Sequence, residues 1–529
     1  MSPAGWHGIV ARRWVVVGVV ALIGAAFSGA PLVVGVAADP LDGSPSRTRD
    51  ATGSALLDAV YERLVDFDTD GEPIPALATS WEWVAPDRWE IVLRRDVRFT
   101  NGEAFDAETV RRNLDLQRRD FRSPARTWLQ TIVTVEVLDD HTVAIVTDGP
   151  QPELPHALAW AGRMAPTVYG FDGSEYAERL LRAPVGTGPF RVTAWERGRS
   201  MHLEANPDWW GPPPAARTID VRVLPDGADR VAAFLAGAVD MVTDLGVDER
   251  AVLAAAGAPL VPLPGQRLVY LVMDTHRARG GAAPDGSPGI PAGAPNPLVD
   301  ARVRVALYRA IDRDALVRDA LGGAAVPAWQ PMLPGSQAHH PGLEAAPHDP
   351  SAARSALAAA GYPDGFAVTV TGLVGTIPRA LETLAFVVES LRSVGIDARL
   401  ETPPYAEAAR RYGLLEVTLG MVSWGGLTSP LKAWTAMAGS DPDAGTYGSQ
   451  NVGRYSNRAV NALLAHLRTE PDPDRRRAAF LELAEVFLEE MPVIPLYLPT
   501  DAVALGTSWS LSPTNLDALP LRDVRPAGH

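Results

Sequence analysis

The sequence predicts an α/β protein with at least two lobes. Strand-like and helical segments alternate, for example a strand at 219–223, a helix at 229–235 and a strand at 239–242. The chain has 529 residues, more than one hydrophobic core usually holds, so two or more lobes with a cleft between them are expected. Hydrophobic residues form 47% of the chain and charged residues 21%, which is typical of a folded globular protein.

Strands are predicted where apolar residues run together or alternate with polar ones. The run from Pro31 to Ala37 is apolar and β-branched, as in a buried strand. Alternation within 81–99, around a turn at residues 86–87, predicts a hairpin, and the same pattern predicts hairpins at 133–146 and 191–204. These turns and alternations indicate antiparallel pairs next to the α/β segments.

Helices are predicted from apolar residues at helical spacing and from end signals. A helix is expected at 55–64, a second begins after the N-cap Asp106, and a third begins near Asp300. A stripe at 480–488 predicts a helix that stops before Pro492. The Gly-, Ala- and Pro-rich stretch 277–297 is predicted to be a surface loop or linker.

Composition excludes several kinds of chemistry. The net charge of −15 and the pI near 5.2 oppose binding to nucleic acid, because polyanions attract basic surfaces. The absence of cysteine removes disulfides, thiolate metal sites, cysteine nucleophiles and the lipid-attachment cysteine. Lys432 is the only lysine and belongs to no Schiff-base or phosphate-loop motif.

The N-terminus has the pattern of an export signal. Arg12 and Arg13 precede an apolar run at 14–27, which is followed by small residues at 28–30. We expect cleavage near Gly29 or Pro31, giving a periplasmic protein without a lipid anchor. An uncleaved anchor is the alternative, but the run is shorter than the roughly 20 residues that span a bilayer. No second segment of the sequence is expected to span a membrane.

Several segments in this order resemble the solute-binding proteins of family 5, which serve ABC importers of peptides, dipeptides, nickel and opines. They extend from about residue 60 to 498, and their number and order make the resemblance specific. The matching stretches are VYERLVDFDTDGEPIPALATSWEW, LRRDVRFTNGEAFDAETV, PVGTGPFRVTAWERG, NPLVDARVRVALYRAIDRDALV, AAGYPDGF, YSNRAVNALL and MPVIPLYLP.

The resemblance implies a bilobed periplasmic-binding-protein fold of type II, with an extra subdomain. It also implies that the ligand is enclosed by hinged closure of two lobes and delivered to an inner-membrane permease powered by a cytoplasmic ATPase. No enzyme activity and no cofactor are implied, and a monomer is expected. The expected parts are a signal peptide at 1–30, lobe I at 31–62, 185–272 and 495–529, subdomain Ib at 63–184, and lobe II at 273–494.

In peptide-binding relatives, a segment after a lobe II strand contains a Trp and, three positions later, an Asp that pairs with the α-ammonium of the ligand. Here Trp424 matches the aromatic residue, but Leu427 occupies the Asp position. A buried ammonium without a counter-charge is costly, which puts the usual pose of a peptide in doubt. Asp50 is the candidate replacement, or else the ligand is uncharged or blocked at that end.

Further residues are candidates for ligand contact. Gly425 and Gly426 permit close approach of the backbone to a ligand, although a plain turn also explains them. The resemblance places residues 49–51 at the cleft. Surface or core roles are equally open for four further candidates, Trp329, Tyr447, Arg126 and Trp128. For Trp424 a core position is the alternative to facing the cleft. The complete predicted site is Trp424, Gly425, Gly426, Leu427, Thr428, Asp50, Arg49, Trp329, Tyr447, Arg126 and Trp128.

Two other motifs are interpreted as structural. Gly186-Thr187-Gly188 is followed by proline and a strand, whereas a phosphate loop needs amides that open a helix. His339, His340 and His348 lie among Pro and Gly without a carboxylate or cysteine pattern, so a solvated loop is preferred to a metal site. No metal site is predicted.

Rival functions remain open from the sequence. A secreted hydrolase also has lobes around a cleft, but the chain contains neither a Gly-x-Ser-x-Gly nor a His-Glu-x-x-His motif. A binding protein for sensing or chaperoning needs the same cleft as one for uptake. Within the family, oligopeptides or dipeptides are the expected ligands, with opines, glycosides or metal chelates as alternatives.

Overall fold

Three β-sheets organise the part of the chain that this computed structural model describes. The predicted signal peptide falls in Met1–Ala30, a separate unit that lies outside the described residues, and everything below concerns the unit Pro31–His529. The described residues are 31–40, 43–45, 51–166, 180, 183–263, 265–279, 290, 293–343, 348–441, 443, 446–516 and 519–528.

The first sheet has seven strands in the order β12-β21-β11-β1-β10-β9-β8, and its central strand β1 pairs in parallel with β10 and β11. The C-terminal β21 lies between β12 and β11, so the end of the chain completes a sheet begun at residue 32. Its strands are β1 Leu32–Val36, β8 Phe190–Glu196, β9 Ser200–Ala205, β10 Thr218–Val223, β11 Met241–Val242, β12 Leu260–Leu263 and β21 Asp501–Leu505.

The second sheet is antiparallel, with four strands in the order β4-β5-β7-β6. It is formed by β4 Ala78–Ala85, β5 Arg88–Leu93, β6 Ile132–Asp139 and β7 Thr142–Thr147. Three two-stranded ribbons are also present: β2 Val65–Phe67 with β3 Pro73–Pro75, β18 Ser440–Asp441 with β19 Thr446–Tyr447, and β22 Trp509–Leu511 with β23 Val524–Pro526.

The third sheet has six strands in the order β14-β20-β13-β17-β15-β16. Its central strands β13 and β17 are antiparallel, whereas β15 pairs in parallel with both β16 and β17. Its strands are β13 Arg267–Met273, β14 Ala325–Pro327, β15 Ala367–Gly372, β16 Asp397–Glu401, β17 Leu419–Gly425 and β20 Val493–Pro499.

Helices alternate with these strands. The α-helices described are α1 Ala51–Asp58, α2 Ala107–Arg119, α3 Arg126–Leu129, α4 Leu154–Trp160, α5 Gly227–Leu235, α6 Val247–Ala255, α7 Ala301–Ala310, α8 Arg313–Ala315, α9 Pro350–Ala359, α10 Ala380–Ser393, α11 Tyr405–Gly413, α12 Pro430–Ala438, α13 Arg458–Leu467 and α14 Pro473–Glu490. Short 3₁₀ turns occur at Pro297–Val299, Pro341–Leu343 and Leu521–Asp523, and a π-helical turn at Leu316–Ala320.

Most of the predicted elements are confirmed. The three predicted hairpins are β4-β5, β6-β7 and β8-β9. The Asp106 carboxylate accepts the Thr109 amide at 2.8 Å and caps α2, and Asp300 caps α7. The prediction of a helix at 55–64 was wrong in its bounds: α1 ends at Asp58, because the chain then turns back and residues 59–60 hydrogen-bond to the strand-like segment at 188–190.

Alternation along the central strands gives the seven-stranded sheet a buried core on each face. Val34 and Met241 belong to one apolar cluster, whereas Val242 belongs to the other. A third, larger cluster contains residues of the four-stranded and six-stranded sheets together. The apolar cores of these two sheets are therefore continuous.

The chain changes from one sheet to another close to two of the expected lobe boundaries, which stay predictions. The chain passes from the seven-stranded to the six-stranded sheet between β12 and β13, before the expected boundary at residue 272. Strand β20 also remains in the six-stranded sheet beyond residue 494, because it pairs with β13 and β14. No helix in the described part of the chain is long and apolar enough to cross a membrane.

Candidate functional site

The largest of three cavities lined by described residues lies where α1, α2, α3 and the end of α4 meet. Its volume is about 580 Å³, and a neighbouring cavity of about 230 Å³ shares Ser54, Arg63 and Trp160 with it. The volume of the first cavity lies in the range of pockets that bind small solutes, about 300–1,000 Å³. Its aromatic and cationic lining comprises Arg63, Phe121, Arg126, Trp128, Trp160 and Arg163.

Two tryptophans form the apolar wall of the cavity. Trp128 on α3 and Trp160 at the end of α4 stack, with ring centroids 5.4 Å apart and planes 8° apart. The Trp160 indole N–H also donates a hydrogen bond to the hydroxyl of Thr428, a residue that is only 1% exposed. The wall is thereby attached to the segment before α12, and Thr428 is a predicted site residue.

The charged wall is built around Asp58 at the end of α1. Its carboxylate accepts hydrogen bonds from Arg163 at 2.8 Å and Arg63 at 2.7 Å. Burial alone would raise the pKa of Asp58, but the two guanidinium groups outweigh burial and hold the pKa below its usual value. Arg126 is exposed on the rim, and its side chain has no hydrogen bond or ion pair with any described residue. It is therefore available to an anionic group of a solute.

The N-terminus of α12 is capped by the side chain of Glu153, the residue just before α4. The Glu153 carboxylate accepts hydrogen bonds from the Ser429 hydroxyl at 2.5 Å, the Leu431 amide at 2.6 Å and the Lys432 amide at 3.3 Å. These amides have no partner within the helix, and a carboxylate at a helix N-terminus is electrostatically favourable. The Lys432 ammonium lies 3.2 Å from the centroid of the Trp128 ring.

The residues of the predicted segment 424–427 differ in how deeply they are buried. Trp424 is half-buried near the end of β17, opposite Leu268, and Gly425 ends the strand. Gly426 has φ of 123°, and a Cβ there would lie 3.1 Å from the Trp424 indole, so glycine is required locally. Leu427 is fully buried in the apolar core. Its side chain therefore has a packing role.

The other predicted residues are not all brought together. Arg126 and Trp128 line the largest cavity, whereas Tyr447 lines a separate cavity of about 360 Å³ between α12 and α13. Trp329 packs beside Arg313, whose guanidinium carbon is 4.9 Å from the ring centroid. Arg49 and Asp50 lie outside the described residues, so the proposed replacement of the missing carboxylate by Asp50 stays a prediction.

The two motifs interpreted as structural have ordinary partners. The Gly188 amide donates to the Val60 carbonyl at 2.9 Å, and a Cβ on Gly186 would lie 2.0 Å from the same oxygen. Close backbone packing therefore explains these glycines. Two of the three histidines lie near different carboxylates, His340 near Glu485 at 3.5 Å and His348 near Asp312 at 3.6 Å. Within the described residues, no group of three metal-ligating side chains occurs.

Sequence reasoning missed several residues of the site: Arg63, Glu153, Trp160, Arg163 and Lys432. Lys432 did have a signal, since a single lysine among 48 basic residues is unusual. The other four residues have no such signal, because nothing in the neighbouring sequence distinguishes a side chain that lines a cavity from one of the same type elsewhere.

Comparison with known proteins identifies the class. The profile of bacterial extracellular solute-binding proteins, family 5 Middle, matches residues 72–448. This is more than half of the chain, which therefore belongs to that family. Family 5 proteins bind small solutes or peptides outside the cytoplasm and deliver them to ABC permeases, so the predicted class of function is confirmed.

Individual relatives extend over nearly the same length. The glutathione-binding protein GsiB of Salmonella paratyphi A is 27% identical over 485 residues, which cover 89% of each chain. Heme-binding protein A of Haemophilus influenzae is 25% identical, with 86% of this chain and 85% of the relative covered. The unliganded open form of the periplasmic murein tripeptide binding protein MppA superposes with a TM-score of 0.80 at 19% identity, covering 94% and 97% of the two chains. The predicted bilobed α/β fold is confirmed.

Proposed function

We propose that this chain is the soluble receptor of an ABC importer for short peptides or peptide-like solutes that carry a carboxylate. The cavity between α1 and α4 is the solute site, with Trp128 and Trp160 as its apolar wall. The observation that supports this proposal is the Arg126 guanidinium, which has no partner among the described residues, at the rim of a cavity walled by stacked indoles. The names of relatives that bind glutathione and a murein tripeptide support the same class.

The buried Leu427 refines the choice of ligand. Peptide-binding relatives have an Asp at this position, whereas here an apolar side chain fills the core. A fixed carboxylate for the α-ammonium is therefore missing from this segment. We propose that the solute is held by its carboxylate and its side chains, and that its amino end contributes little to the affinity.

Further features belong to the same proposal. The N-terminal segment is a cleaved signal peptide, and the mature protein is a periplasmic monomer that binds no nucleic acid and catalyses no reaction. Lobe I contains the seven-stranded sheet with the four-stranded sheet as its subdomain, and lobe II contains the six-stranded sheet. Closure of these lobes around the solute produces the form that the permease recognises.

The first test is to purify the mature protein, denature it and identify any released solute by mass spectrometry. Calorimetric titration then compares trialanine, N-acetyl-trialanine and trialanine amide. We expect the first two to bind with affinities within about threefold, because no carboxylate pairs with the ammonium, and the amide to bind roughly tenfold more weakly. Release of a sugar, an opine or a metal chelate, with no binding of the three peptides, would contradict the peptide assignment.

Arg126→Gln provides the residue-level test. This variant should lower trialanine affinity about tenfold and leave the affinity for trialanine amide unchanged, because only the carboxylate contact is lost. Arg119→Gln is the matched control, since Arg119 is an exposed arginine on α2 that lines neither cavity. Equal losses with both variants would point to a general effect of net charge.

A further inference from the structure

Lys432 stands apart from every other cation of this protein. It is the only lysine among 48 basic residues, and it lies on α12 against an aromatic residue of the largest cavity. The Nζ atom is 3.2 Å from the Trp128 ring centroid, which is the geometry of a cation–π contact. Every other Lys or Arg position of the chain is arginine, so a lysine at this one position calls for a specific explanation.

The backbone of Lys432 is fixed by the segment that also supplies the cavity wall. Glu153, next to the start of α4, accepts the amides of Leu431 and Lys432, and its side chain is buried. Trp160 lies at the other end of α4 and donates a hydrogen bond to Thr428, just before α12. Helix α12 is therefore attached to both ends of α4.

These contacts close into a ring. Trp128 stacks on Trp160, Trp160 bonds to Thr428, α12 connects Thr428 to Lys432, and the Lys432 ammonium returns to Trp128. We call this set of four residues the α12 ring. Without the ammonium, Trp128 would keep its stacking contact with Trp160 and its packing against the apolar core but lose the contact with α12. Its indole would then have more freedom to rotate or to tilt away from the cavity.

The local electrostatics agree with this arrangement. Burial lowers the pKa of Lys432 to about 8, while the nearby Glu153 carboxylate acts in the opposite direction. A desolvated cation over an indole is attracted more strongly than an exposed one. A guanidinium can also lie over an aromatic ring, so the feature that this contact requires is the positive charge.

We propose that Lys432 is a positioning residue of the solute site, and that its ammonium group holds the Trp128 indole, and through it Trp160, at the wall of the cavity. This inference depends on the proposed function in one respect only, which is the identity of the solute. The contact between Lys432 and Trp128 concerns the free protein and is testable without any ligand.

The single lysine permits a direct spectroscopic test. Protein labelled with ¹³C at lysine Cε gives one lysine resonance, and the Trp128 ring current should shift its protons upfield. Trp128→Leu should return this resonance to the position of free lysine, with circular dichroism and thermal unfolding used to show that the variant is folded. A wild-type resonance already at the free-lysine position would overturn the proposal.

Binding variants complete the test, with trialanine as the probe. Lys432→Met should weaken binding about fivefold to tenfold, and Lys432→Arg, which keeps a cation, should stay within about threefold of wild type. The control is Arg197→Met, which removes a cation over Trp195, a residue that lines neither cavity. A folded Lys432→Met variant that binds trialanine as wild type does would also overturn the proposal.

Failure of the proposed function gives a different result. If wild-type protein binds no peptide probe, the peptide assignment falls, whereas an upfield lysine resonance and a shifted Trp128 indole resonance in Lys432→Met still support the positioning role. If trialanine binds normally and neither resonance behaves as expected, the positioning role falls and the peptide assignment stands.

Discussion

Both carboxylate oxygens of Glu62 accept the indole N–H of Trp210, each at 3.1 Å. Trp209 donates to the same carboxylate at 3.2 Å, so two consecutive tryptophans enclose one buried acid. Burial outweighs these hydrogen bonds and raises the pKa of Glu62 to about 7, from an ordinary value of 4.5. This acid joins the segment after α1 to the segment after β9.

The first prediction concerns pH. Between about pH 4.5 and 7 folded Glu62 keeps its proton while the unfolded chain releases it, so the free energy of unfolding falls as pH rises through this window. The loss is on the order of 3 kcal/mol above pH 7. Glu62→Gln should therefore be more stable than wild type at pH 8 and lose this part of the pH dependence, as measured by urea unfolding from pH 5 to 8. Exposed Glu82→Gln is the control, and an unchanged slope in Glu62→Gln would contradict the assignment.

The second prediction concerns the charged wall of the cavity. Asp58→Asn should destabilise the protein by about 3–5 kcal/mol at pH 7, because Arg63 and Arg163 lose a shared buried carboxylate. The wild-type pKa is lowered, so this stabilisation is present above the unfolded value of 3.8 and is lost as pH falls through the folded pKa. Chemical unfolding at pH 7 and pH 3 measures both effects. Asp248→Asn, at an exposed ion pair with Arg379, should cost less than about 1 kcal/mol, and a similar cost for both variants would refute the prediction.

The third prediction concerns Leu427, where the family resemblance implies an Asp in peptide-binding relatives. Leu427→Asp should not create an ammonium site, because residue 427 is fully buried in the apolar core. It should instead lower the free energy of unfolding by at least about 3 kcal/mol, since a carboxyl group would replace packed apolar atoms. Thermal unfolding measures this loss. Leu414→Asp is the matched control, since Leu414 is 55% exposed. A stable Leu427→Asp variant with tighter trialanine binding would show that the side chain reaches the solute.

The fourth prediction concerns the glycine turn before β8. Gly186→Ala should destabilise the protein by more than about 2 kcal/mol, because the new Cβ would lie 2.0 Å from the Val60 carbonyl oxygen and backbone must shift. Gly413→Ala in α11 should be neutral or stabilising, since its Cβ meets no atom within 4 Å. Differential scanning calorimetry compares the two variants. Equal melting temperatures would show that the turn is not held as tightly as described.

Local patterns were sufficient to predict much of the fold. The hairpins, the caps Asp106 and Asp300, and the C-terminal strand follow from alternation, turn residues and helix-end signals, which act over a few neighbours. The end of α1 was misplaced, because apolar residues continue through 59–64 although the chain has already turned. Those residues are apolar because they are buried against distant parts of the chain, and not because they form one face of a helix.

The site was predictable only in part, for the same reason. Trp128 and Arg126 were named from the sequence, but Trp160, Arg163 and Glu153 became part of a site only because α1, α3, α4 and α12 meet in space. Leu427 shows the opposite case. The family resemblance implied that it contacts the ligand, but its side chain is packed in the apolar core.

The sequence by itself determined the class of this protein: an α/β chain of two or more lobes with family 5 segments in order and a single lysine. These properties depend on composition and on short-range patterns, which a linear chain displays directly. The tertiary structure alone decided that the lysine meets an indole and that two arginines share one buried aspartate. The contacts of Lys432 with Trp128 and of Asp58 with Arg163 join residues more than 100 positions apart, so they depend on how sheets and helices pack, and no local pattern encodes that packing.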